Sequence, residues 1–140
     1  MKKLFVLALC GSLPFFANGQ TASELAIADV VYQGKMPCEL GAFVTVTADP
    51  AARGFFDVQI KREKFKMYPV ATSTGAIRLE DRQSGAVWLQ VANKSMLMNQ
   101  KQGKRLADAC MSPEQAAVTA ALVLNPIPNI LDLPAGRATN

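Results

Sequence analysis

The sequence contains no histidine. That absence removes Ser-His-Asp and Cys-His nucleophilic machinery, the commonest general base near neutral pH and the commonest zinc ligand. Cysteine is scarce too, with three residues in 140. There is no glycine-rich phosphate loop either, because Gly75 and Gly85 are isolated and read as turn or bulge glycines. No apolar run reaches the ~20 residues that a membrane-spanning helix needs. Paired carboxylates are the remaining enzymatic option. Glu80 and Asp81 are adjacent, however, so on a strand they point to opposite faces. The chain reads as a binding protein rather than an enzyme, with no metal and no cofactor expected.

Residues 1–19 have the pattern of an export signal. Lys2 and Lys3 supply a positive start, Leu4 to Leu13 is an almost unbroken apolar run, and Ala17-Asn18-Gly19 places small residues where a signal peptidase reads. A lipid anchor at Cys10 is not expected, because Leu9 is too bulky for the position before a lipidated cysteine. Cleavage before Gln20 lowers the net charge from +4 to +2, since Lys2 and Lys3 leave with the leader. So small and dispersed a charge does not point to nucleic acid. An exported location follows, most simply the periplasm, with an outer-membrane-associated or secreted protein as the alternative. Cys38 and Cys110 are then the only thiols of the mature chain, and an even pair in an exported protein predicts a disulfide.

Between Val30 and Cys110 the apolar residues alternate with the two-residue period of strands. Phe43–Thr47, Phe56–Lys61, Ala76–Glu80, Ala86–Val91 and Ser95–Met98 each read as a strand. Asp81–Gly85 reads as a hairpin loop and Gln102-Gly103-Lys104 as a turn. Met67–Thr72 is interrupted by Pro69, which suits an edge or a strand start. Lys61–Lys66, the densest basic run, reads as a solvated strand edge, or as a contact surface for an acidic partner. Several short strands at close spacing predict an all-β fold, a small antiparallel barrel of about seven or eight strands. Trp88 is expected to anchor its core.

The ends differ from this pattern. Residues 20–29 form an N-terminal segment, disordered or a short helical turn, ahead of the barrel at 30–111. In the 112–140 region, Ser112-Pro113-Glu114-Gln115 is a helix start with serine at the cap and proline at the first position. An apolar helix follows over Ala116–Leu124, then a proline-rich tail. The helix is expected to pack over the barrel, with a partner or a membrane as the alternative contact.

The stretch Ala71-Thr72-Ser73-Thr74-Gly75-Ala76-Ile77-Arg78 is followed by a polar loop, by Trp88 on a short strand, and by a last strand closing on Cys110. This order resembles the membrane-bound or periplasmic inhibitors of c-type lysozyme. That family consists of small exported β-barrels with the signature Ser-Gly-Ala-x-Tyr or Ser-Gly-Ala-Arg-Tyr, a loop, then Trp-x-Lys-Gly. The resemblance implies c-type lysozyme as partner, and a disulfide running from after the first strand to after the last. It also implies a loop, Ser73–Ala76, that enters the lysozyme cleft and donates hydrogen bonds to the two catalytic carboxylates. The family's donor hydroxyl falls on Thr74 with Ser73 beside it, and Arg78 stands near the family's Arg-Tyr pair. The family's lysine falls on Gln90, which is neutral, and Lys94 follows four residues later. A non-inhibitory envelope protein on the same scaffold is the alternative.

Overall fold

The computed structural model describes residues 20–127. The expected leader with Cys10, and the tail from Pro128 onward, lie outside the described residues. Eight antiparallel strands form a nearly closed barrel: β1 (Gly34–Pro37), β2 (Phe43–Ala48), β3 (Phe56–Ile60), β4 (Glu63–Val70), β5 (Ile77–Asp81), β6 (Ala86–Gln90), β7 (Ser95–Asn99) and β8 (Lys104–Cys110). They form a pure meander in which each strand pairs with its sequence neighbour. Helix α1 (Ala22–Ala28) precedes the barrel and α2 (Pro113–Leu124) follows it.

The inner face follows from the alternation. Val44 and Val46 of β2, Phe56, Val58 and Ile60 of β3, Phe65 and Met67 of β4, Leu79 of β5, Trp88 of β6 and Leu97 of β7 fill the interior. Asp57 and Gln59 take the outward positions between them. Burying each such side chain contributes roughly 1.5–3 kcal/mol, so a one-residue slip in any strand would exchange core for solvent. The turns hold the expected glycines in the left-handed region, with φ of 79° at Gly85 and 61° at Gly103.

Lys61 and Arg62 form the β3–β4 turn, and Lys64 and Lys66 lie on the outer face of β4. Lys64 pairs with Asp57 at 2.9 Å, and Lys66 pairs with both Asp57 and Asp49. The run is thus a solvated face on an interior strand rather than an edge, with Lys64 and Lys66 paired to aspartates. Pro69 stands neither on an edge nor at a strand start but one residue before the end of β4, and it is tolerated because of where the two ladders overlap. Pairing of β4 with β3 ends at Met67, and pairing with β5 begins at Tyr68. Pro69 therefore has one strand neighbour at its height, and its missing N–H breaks no second ladder.

The barrel's one seam lies between β1 and β8. Met111 N–H donates to Pro37 O across it at 3.1 Å, and the Cys38–Cys110 disulfide closes it covalently. Cys110 stands opposite Ser95, and through the pairs Ser95–Gln90 and Gln90–Ile77 it is level with the start of β5. Cys38 follows Pro37, which pairs with Phe43 beside the opposite end of the barrel, where the β3–β4 turn lies. The bond therefore joins strands offset along the axis, as the tilt of a closed barrel requires. Next to it β8 carries register shifts against β7, and Ala109 takes a left-handed φ of 49°, which marks a bulge.

Candidate functional site

The loop between β4 and β5 rises from the rim of the barrel. Val70 ends one strand and Ile77 begins the next, so both feet of the loop are fixed by the sheet. Inside it, the Thr72 hydroxyl donates to Ala76 O at 2.7 Å, closing a five-residue turn. The Ala76 N–H lies 3.5 Å from Thr74 Oγ1. Gly75 has φ of 76°, while a methyl group there would meet nothing within 4 Å. Glycine is thus required by the backbone and not by space. Ser73, Thr74 and Gly75 are all exposed. The arrangement presents two hydroxyls on a braced turn with no carboxylate among the loop residues.

The other expected site residues are engaged elsewhere. Arg78 points outward from β5, and its Nε donates to Glu80 Oε1 at 2.6 Å. Gln90 is opposite Ile77, on the same rim as the loop, yet its side chain turns inward and is 1% exposed. Its Oε1 accepts the Tyr32 N–H at 3.0 Å and its Nε2 donates to Tyr32 O at 2.8 Å. One side-chain amide thus supplies both bonds of a missing strand partner and pins the segment between α1 and β1 over the barrel mouth, with Val31 seated in the core. A surface role for Gln90 is not what its placement offers.

Lys94, in the β6–β7 turn, lies 3.4 Å from Asp108 Oδ1, and Arg105 reaches Asp108 Oδ2 at 2.7 Å. The structure therefore brings Ser73, Thr74, Gly75 and Ala76 together as one surface. It does not add a free cation from Gln90 or Lys94.

Sequence reasoning missed the Asp108 cluster, because its members are scattered over β8 and a turn. The Asp108 carboxyl accepts the Ala109 N–H at 2.7 Å. That bond, helped by Lys94 and Arg105, holds it below the usual aspartate value. A depressed folded-state value means that the cluster stabilises the fold above the ordinary value of 3.8. The stabilisation is lost as pH falls through the lower folded-state value. Asp108→Asn is expected to weaken the protein at neutral pH and to narrow the gap to wild type under acid. Urea midpoints measured at neutral pH and near pH 3 would check this; a gap that stays constant across that range would contradict it.

The C-terminal helix meets the barrel through a second buried amide. Ser112 and Gln115 form the expected capping box. Gln115 is fully buried, accepts from the Ser95 hydroxyl at 3.0 Å and donates to Val91 O at 2.7 Å. One turn on, the Thr119 hydroxyl donates to Asn93 O at 3.0 Å. A glutamine three residues after a serine signals the cap, but nothing in the sequence signals the long-range bonds.

No family model, no curated protein and no solved structure matches the chain.

Proposed function

We propose that the protein is an exported binding protein that blocks the active-site cleft of a c-type lysozyme with its Ser73–Ala76 loop. The observation that carries this reading is the loop itself: exposed hydroxyls on a turn braced at both feet by the barrel, so little conformational entropy is lost on docking. Hydroxyl and backbone N–H donors suit a cleft lined by two carboxylates, since hydrogen bonds to ionised acceptors are roughly twice as strong as neutral ones. With Gln90 and Lys94 occupied internally, inhibition would rest on these donors and not on a cation. Periplasmic location follows from the leader and from the target.

The test is a cell-wall turbidity assay with a c-type lysozyme and the exported chain. Wild type is expected to slow lysis, and Ser73→Ala with Thr74→Ala is expected to weaken inhibition at least about tenfold, as for loss of two charge-assisted bonds. Neither variant touches the core, so thermal unfolding should remain unchanged. If wild type fails to slow lysis by several c-type lysozymes, the reading is wrong. The second reading, a non-inhibitory envelope interaction protein, is favoured by one observation: the residue at the family's lysine position is spent on Tyr32. It expects the double variant to leave lysozyme sensitivity unchanged.

A further inference from the structure

The helix α2 is inside out. Gln115 and Thr119, its uncharged polar residues, face the barrel and bond to Val91, Ser95 and Asn93. Ala116, Ala117, Ala120 and Ala121 are exposed, and Val123, Leu124 and the following Ile127 are 76%, 80% and 78% exposed. A surface helix normally buries its apolar stripe and shows its polar one. No charged residue follows Glu114 within the helix, so nothing on the outward face favours water or a charged partner.

At the foot of the same helix lies an open, mostly apolar groove of about 510 Å³, lined by Cys38, Ala109, Met111 and Ala116 among others, with Lys35 and Glu39 also on its wall. A convex apolar end and a concave apolar foot thus occupy opposite ends of one element. Leu124 lies eight residues beyond Ala116, about 12 Å along a helix rising 1.5 Å per residue.

We infer that α2 is a self-association element, in which two copies pack their helices antiparallel about a two-fold axis. Antiparallel packing places the Val123–Leu124 end of each helix at the foot of the other. Each apolar end then enters the partner's groove, the isologous arrangement that two-fold symmetry demands. The four alanines leave room for the close approach of a second helix. A lipid surface fits less well, because interfacial helices carry basic residues and bulky aromatic or leucine side chains. Here α2 has no basic residue and no aromatic one, and alanine fills the middle of its exposed face at Ala116, Ala117, Ala120 and Ala121. Two helices of this size fall below the ~800 Å² per partner of a standard stable interface, so the dimer is weak and concentration-dependent.

Sedimentation velocity of the exported chain over a wide concentration range tests this. Wild type is expected to pass from monomer to dimer. Val123→Asp with Leu124→Asp removes the apolar end, and Ala116→Trp fills the foot groove; each is expected to weaken dimerisation at least about tenfold, the effect of losing a central anchor. Mixing the two variants should recover association, because one intact end then meets one intact groove. Cooperative thermal unfolding followed by circular dichroism confirms that each variant is folded. Wild type that stays monomeric throughout overturns the proposal, as do variants that dimerise like wild type. Flotation with phosphatidylcholine or phosphatidylglycerol vesicles that the aspartate variant abolishes would assign the face to lipid instead.

Discussion

Replacing Cys38 by serine and Cys110 by alanine is expected to lower the unfolding free energy by about 4 kcal/mol. That is the chain-entropy value for a closed loop of this length, the two residues being 72 positions apart. In a domain of this size such a loss lowers the melting temperature on the order of 15 °C. The choice of replacements follows the structure, because Cys38 is half-buried whereas Cys110 is fully buried. The effect should exceed the entropic value if the seam depends on the bond, since one backbone hydrogen bond, Met111 to Pro37, is the other direct link described there. Calorimetry of the oxidised, reduced and substituted chains would separate these contributions. Melting within 5 °C of wild type, well short of that loss, would show that the seam holds without the bond.

The second large effect is expected at Trp88. It is fully buried on β6, opposite Leu79 of β5 and Leu97 of β7, so it fills the middle of the barrel. Trp88→Ala is expected to cost about 3–5 kcal/mol, the transfer loss plus the cavity. Trp88→Phe should cost much less than its change in volume suggests. The indole N–H is buried without a hydrogen-bond partner among the described residues, and an unsatisfied buried donor itself costs about 1–3 kcal/mol. Phenylalanine removes that donor while keeping an aromatic ring. Denaturant midpoints of the two variants test both statements; a phenylalanine variant as unstable as the alanine one would show that the N–H has a partner or that packing dominates.

The barrel was legible in the sequence because its strands alternate and its hairpins carry glycine where the backbone needs a positive φ. The strands expected over Phe43–Thr47, Phe56–Lys61 and Ala86–Val91 form within a residue of those limits, and the Ser112 cap forms as its pattern implies. β1 was not legible as a separate strand: Gly34-Lys35-Met36-Pro37 has one apolar inward residue, and it pairs only because β2 offers its edge. The depth of Pro69 in the sheet was equally hidden, since it depends on where two ladders stop and start.

In the candidate site, the turn at Gly75 was legible from its isolated glycine, whereas Ser73–Ala76 as a docking loop came from the resemblance. The partners of Gln90 and Lys94 were not, because they come from residues 58 and 14 positions away. A polar residue at an inward position between apolar ones gives one usable signal. Gln90 follows Ala86 and Trp88 at two-residue spacing, which places its amide inside and requires a bonded partner there.

The offset staple also decides where mechanical load travels. A pull on the two ends of the chain enters the barrel at Cys38 and leaves it at Cys110, through the sulfur bridge rather than through the strands. α1, β1 and α2 lie outside that closed ring and would unravel first, β1 peeling from Gly34 and stopping at Cys38. The segment from β2 to β8 would carry no tension while the bridge is oxidised. On reduction, the chain between Cys38 and Cys110, a separation of 72 residues, would enter the load path and release roughly 3.3–3.6 Å of extension per residue. Pulled at its two ends, the protein would therefore keep its Ser73–Ala76 loop in shape while its ends yield.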